Sequence, residues 1–118
     1  MGETKNLTKI NRERPYLRIV KRMIQVSQGE NTIYLTKNDV NALRMLKEGQ
    51  FDGTYTSNIK PCVKYTLLKD GSILAVCKDV AHNDAVYIST KTLKMITEFR
   101  DNNRPRLAWD KELTRRRY

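Results

Sequence analysis

Residues 32–49, TIYLTKNDVNALRMLKEG, decide the fold class. Thr32 to Leu35 are β-branched, aromatic or aliphatic, the composition of a half-buried strand. Thr36 then offers a hydroxyl to the free amides of a helix start, and Asp39 falls in the first turn, where a carboxylate meets the positive end of the helix dipole. Val40, Leu43 and Leu46 repeat on one helical face, and Gly49 supplies a stop. The stretch reads as a strand that turns directly into a capped amphipathic helix.

The same pattern returns 53 residues later. Ile33-Tyr34-Leu35-Thr36 matches Val86-Tyr87-Ile88-Ser89 as apolar, tyrosine, apolar, hydroxyl, and Val40, Leu43 and Leu46 fall on Leu93, Ile96 and Phe99. Two origins account for this: a structural repeat, or residues that strand-to-helix transitions share in general. The expected fold class is α+β, a curved antiparallel sheet with two helices, with strands-then-helix as its possible repeat unit.

Upstream, YLRIVKRMIQVSQG places polar residues at helical spacing, yet Ile19, Val20, Ile24 and Val26 are β-branched. The turn signal Ser27-Gln28-Gly29-Glu30-Asn31 favours a strand over 17–26, paired with 32–36. Gly53 precedes a short strand over 54–59. Asp70-Gly71 then separates two apolar runs, 62–69 and 72–78, as a two-residue hairpin loop. That loop pairs Tyr65 with Val76 and Leu67 with Leu74 on a core face. Lys64 with Cys77, Thr66 with Ala75, and Leu68 with Ile73 form a mixed face open to a ligand. Cys62 and Cys77 become diagonal neighbours on one face, unsuited to a disulfide, and are read as reduced thiols.

With 118 residues, 39% hydrophobic and 31% charged, the chain suits one domain with a thin core. It contains no apolar run long enough to span a bilayer, and residues 1–15 lack a signal-peptide segment, so an intracellular protein with no membrane partner is expected, nucleus and cytoplasm alike. The formal net charge is +10. Residues 1–22 hold seven cations and two anions and residues 100–118 seven cations and three anions, so the excess sits at the two ends. The expected organisation is a mobile basic arm (1–15), one α+β domain (16–100) and a basic tail (101–118), in which Leu107, Trp109 and Leu113 dock on the domain or on a partner. Basic ends suit a polyanion, because neutralised phosphates release counterions. They equally suit solvated tails.

The run Ile33-Tyr34-Leu35-Thr36-Lys37 followed by Val40 and Leu43 resembles the last strand and helix of the transcriptional coactivator family known as positive cofactor four, taken together with the plant Whirly proteins. The resemblance covers about 15 residues in each half of the chain. It implies a curved antiparallel sheet followed by a helix, with two such units, in one chain or two, forming a surface for single-stranded DNA. This chain departs from that pattern in residues 16–49, which offer only two strands.

Strand alternation places Tyr34 and Tyr87 on the face opposite the helices, as exposed rings or as parts of a second packed layer or dimer interface. Single-strand binders stack bases on such rings and line the backbone path with cations. Arg18, Arg22, Lys60 and Lys64 are the cation candidates near the sheet, with Arg115, Arg116 and Arg117 in the tail. The expectation is a nucleic-acid-binding protein that prefers single-stranded DNA, with RNA open, acts in replication or transcription, and forms a homodimer. The alternative is a non-enzymatic assembly or adaptor subunit that dimerises through its sheet and binds acidic proteins. Asp79, His82 and Asp84 are too few ligands for a metal site, and no phosphate-binding or nucleophile motif occurs. No enzyme activity, cofactor or metal is expected.

Overall fold

A computed structural model describes residues 14–57, 62–77 and 84–109, and among these seven strands, three α-helices and one 3-10 turn (Phe51–Gly53) follow the chain. Strands β1 (Tyr16–Val20), β2 (Met23–Gln28) and β3 (Asn31–Leu35) form one antiparallel sheet in that order and lead into helix α1 (Lys37–Lys47). Strands β4 (Thr54–Thr56), β5 (Val63–Leu67), β6 (Ile73–Cys77) and β7 (Ala85–Ile88) form a second antiparallel sheet and lead into helix α2 (Thr90–Asn102). A short helix α3 (Arg104–Leu107) comes next. The α+β class holds, with two sheets of strands-then-helix where one curved sheet was expected.

Both helix starts are built as their local chemistry dictates. The Asp39 amide donates to the Thr36 hydroxyl at 3.2 Å and the Thr36 amide donates back to the Asp39 carboxylate at 3.2 Å, a closed capping box. At the matching position 53 residues on, the Thr92 amide donates to the Ser89 hydroxyl at 3.0 Å. Val40, Leu43, Leu46, Leu93 and Ile96 are buried, and they meet Ile24, Val26, Ile33 and Leu35 from the first sheet and Val63, Tyr65, Ile73 and Ala75 from the second. Burial pushes the Asp39 carboxyl above its ordinary range, opposed by hydrogen bonds from Thr36 and Ser57.

The expected single strand 17–26 is two strands. Lys21 and Arg22 form the turn between β1 and β2 with φ of 50° and 64°. A two-residue hairpin turn of that hand normally recruits Asn-Gly, because both central residues sit in the left-handed region. Here distant bonds hold it: the Arg22 guanidinium donates to the Leu107 and Ala108 carbonyls at 3.1 and 2.9 Å, and the Trp109 indole donates to the Arg22 carbonyl at 2.8 Å. Leu107 and Trp109 are accordingly buried against the domain.

The β5–β6 register also departs from expectation, by one residue. Tyr65 pairs with Ala75, Lys64 with Val76 and Val63 with Cys77. The loop has three residues, closed by Leu68 N–H to Ser72 C=O at 2.8 Å and Gly71 N–H to Leu68 C=O at 3.0 Å. Gly71 takes a φ of 88° while Asp70 stays out of the left-handed region and turns its carboxylate onto the Ser72 amide and hydroxyl. The two-residue type I′ loop that Asp-Gly favours needs both residues at positive φ; the Asp70 side chain favours the alternative. Ile73, Ala75 and Cys77 therefore face the core in place of Leu74 and Val76, and the two cysteines no longer share a face. Both are free thiols, as expected.

Among the described residues no backbone ladder joins the sheets. The Gln28 carboxamide does so: its Nε2 donates to the Tyr87 carbonyl at 3.2 Å and its Oε1 accepts from the Tyr87 amide at 2.8 Å. Gln28 is 2% exposed, so these bonds are shielded from water. Gln28→Ala leaves a buried donor and acceptor on Tyr87 unmet and is expected to destabilise the fold by about 2–4 kcal/mol, read from denaturant midpoints. Gln28→Glu supplies no donor when ionised; protonated, it restores both bonds. Its deficit relative to the native chain is expected to shrink as pH falls through the carboxyl's titration.

Candidate nucleic-acid interface

Alternation along β1, β2 and β3 divides their residues cleanly. Leu17, Ile19, Ile24, Val26, Ile33 and Leu35 turn inward. Register then aligns the outer face in cross-strand rows, Tyr16–Ser27–Thr32 and Arg18–Gln25–Tyr34. Adjacent strands lie about 4.8 Å apart, so Arg18 and Tyr34, two strands apart, are separated by about 10 Å at their backbones. Gln25 lies between them and its Nε2 donates to the Tyr34 hydroxyl at 3.1 Å, while Ser27 and Thr32 share a hydroxyl hydrogen bond at 3.2 Å. These bonds orient the middle of the face. Tyr16, beside Arg18 on β1, is 79% exposed.

This face combines two phenol rings, one guanidinium and a set of neutral donors and acceptors. Rings offer stacking surfaces to bases, and the guanidinium offers charge to a phosphate or a planar partner to a base. Arg18 is exposed and makes no ion pair among the described residues. Tyr16 escaped the sequence reading because Pro15 before it marked a segment boundary; its place next to Arg18, at the start of a β-branched run, was the available signal.

The other expected residues divide differently. Tyr87 does point away from Val86 and Ile88, yet it is 8% exposed and is no open stacking platform. Its backbone is held by Gln28 of the first sheet, and its hydroxyl donates to Asp70 at 3.0 Å. This burial corrects the exposed-ring expectation, and its cause is the approach of the first sheet to β7. Lys64 lies half-buried on the outer face of the second sheet, between Thr56 and Val76. Arg22 faces the α3 carbonyls, away from the Arg18–Tyr34 row. Lys60, Arg115, Arg116 and Arg117 lie outside the described residues, as do Asp79, His82 and Leu113. Asp84 accepts from the Thr32 amide at 3.4 Å, and among the described residues no group of metal-ligating side chains converges. No described helix is long and apolar enough to cross a membrane.

Comparison of the chain with protein-family models, with curated proteins and with solved structures returns no match.

The Ser72 hydroxyl and amide, with the Tyr87 hydroxyl, lower the Asp70 carboxyl to about 2. A carboxyl depressed in the folded state contributes stability above its unfolded value and loses it as pH falls through the folded one. Asp70→Ala is therefore expected to lower the melting temperature at neutral pH, and the gap to the native chain is expected to close as pH falls from about 4 toward 2. Thermal unfolding monitored across that range checks the sign.

Proposed function

We propose that this chain binds nucleic acid and prefers single-stranded DNA, as a non-catalytic protein of replication or transcription. The observation that carries the reading is the open outer face of β1–β3, where Tyr16, Arg18 and Tyr34 stand together with Gln25 between the last two. Bases stack on the tyrosines, Arg18 neutralises phosphate, and the basic ends of the chain add a salt-sensitive attraction that does not depend on sequence. An unpaired strand presents its bases to such a face; a duplex hides them in its own stack. Lys64, on the outer face of the second sheet, extends the positive surface.

Fluorescence anisotropy with single-stranded DNA, single-stranded RNA and duplex DNA of equal length, at two salt concentrations, tests the proposal. Single-strand affinity is expected to exceed duplex affinity and to persist at the higher salt. Tyr34→Ala and Tyr16→Ala are each expected to weaken it by about 1–3 kcal/mol, with Tyr34→Phe near native because the ring remains. Arg18→Ala is expected to reduce the salt slope by about one. Tyr87→Phe is expected to leave affinity unchanged. Equal, wholly salt-labile binding to all three ligands, indifferent to Tyr34→Ala, rejects the stacking face. Absence of binding at low salt favours instead the assembly subunit that dimerises through its sheet.

A further inference from the structure

A second charged feature lies between the helices, apart from the sheet face. Lys37, Asn41 and Arg44, spaced by four and three residues, lie along one side of α1 and line a cavity of about 220 Å³ together with Arg100, Arg104, Leu107 and Trp109. Four cations thus border one small space. Asp101 accepts from Arg100 at 3.1 Å and from Arg104 at 2.8 Å. Lys37 and Arg44 make no ion pair among the described residues. Arg100 is 17% exposed at its side chain, so its charge is partly withdrawn from water.

Like charges gathered from three helices repel one another, and Lys37 and Arg44 meet no carboxylate among the described residues. An anion resolves that repulsion, and a compact, multiply charged one does so best. The volume equals that of about seven waters, room for a chain of two or three phosphates. An extended diester backbone presents one charge per nucleotide and suits a line of cations; here the cations surround a space. Leu107 and Trp109, both buried, complete its lining, and Trp109 is held in place by its bond to the Arg22 carbonyl.

We infer that the α1–α2 cleft is a polyphosphate-binding site, in which Lys37, Arg44, Arg100 and Arg104 hold a di- or triphosphate group above Trp109. Two sources carry that group, a free nucleotide and the phosphorylated 5′ end of a nucleic-acid strand.

Trp109 is the only tryptophan in the chain and lines the cavity, so its fluorescence locates an occupant while calorimetry measures affinity. The full chain is titrated with inorganic tripolyphosphate, with ATP, and with one oligonucleotide bearing either a 5′-triphosphate or a 5′-hydroxyl. Saturable tripolyphosphate binding with a change in Trp109 emission is expected. The double variant Lys37→Ala/Arg44→Ala is expected to weaken it about tenfold or more, and Arg18→Ala, on the sheet face, to leave it unchanged. Circular dichroism confirms that the double variant is folded, and Arg44→Gln alone provides a milder second test. Tighter binding of ATP than of the 5′-triphosphate oligonucleotide identifies a free nucleotide as the source; the reverse order, with the 5′-hydroxyl oligonucleotide weaker, identifies a strand end. Absence of tripolyphosphate binding at low salt overturns the inference, as does binding that the Lys37 and Arg44 variants retain in full. Because the readout is separate from the Tyr34 and Arg18 variants, failure of either site leaves the other standing.

Discussion

The Gln28 carboxamide is the constraint on which the arrangement of this protein depends. A peptide unit presents one donor and one acceptor, and so does the glutamine side chain. It exchanges both bonds with the Tyr87 backbone where a strand neighbour would otherwise sit. The two sheets are thereby joined without a ladder between them among the described residues. Fixing β7 also fixes α2, since Ile88 leads straight into the Ser89 cap and the helix whose Leu93 and Ile96 complete the core. Burial makes the pair consequential: buried amide groups left unmet cost far more than a satisfied pair gains. At this junction Tyr87 is buried, whereas Tyr34 is half-buried and Tyr16 exposed on the outer face of the first sheet.

A second long-range contact decides how the basic residues are used. Arg22 donates to the Leu107 and Ala108 carbonyls and accepts at its own carbonyl from the Trp109 indole, tying the β1–β2 turn to the end of α3. That contact offsets the left-handed backbone of Lys21 and Arg22, which side chains other than glycine and asparagine adopt at a cost. The excess charge at the two ends of the sequence therefore does not act as two loose arms throughout. Within the described residues Arg22 clamps α3, Arg18 faces solvent from β1, and Arg100 and Arg104 border the α1–α2 cleft.

Where local chemistry decides structure, the sequence was legible. Thr36 and Ser89 start their helices as their hydroxyls require, the burial of Val40, Leu43, Leu46, Leu93 and Ile96 accords with their spacing, and Tyr34 lies on the outer face as alternation demands. Where contacts distant in sequence decide, it was not. Lys21-Arg22 carries no turn signal, because the bonds that hold the turn come from residues more than 80 positions away. The β5–β6 register turned on whether Asp70 takes a positive φ or bonds Ser72, a balance that the dipeptide Asp70-Gly71 leaves open. Tyr87 and Tyr34 occupy matching positions in the two strand-to-helix units, yet Tyr87, held by Gln28 at its backbone and by Asp70 at its hydroxyl, is buried while Tyr34 is half-buried. Of the expected site, Arg18 and Tyr34 come together in one row, Tyr16 joins them, and Arg22 and Tyr87 serve the fold.

The decisive measurement for the stacking face is nuclear magnetic resonance of the uniformly labelled full chain during titration with a short single-stranded DNA, because it maps contacts without altering any residue. Shifts are expected to concentrate on Tyr16, Arg18, Gln25 and Tyr34, with Tyr87 and the β5–β7 interior unmoved. Saturable binding that leaves those four resonances in place, with shifts confined to other surfaces, would contradict a stacking role for the first sheet.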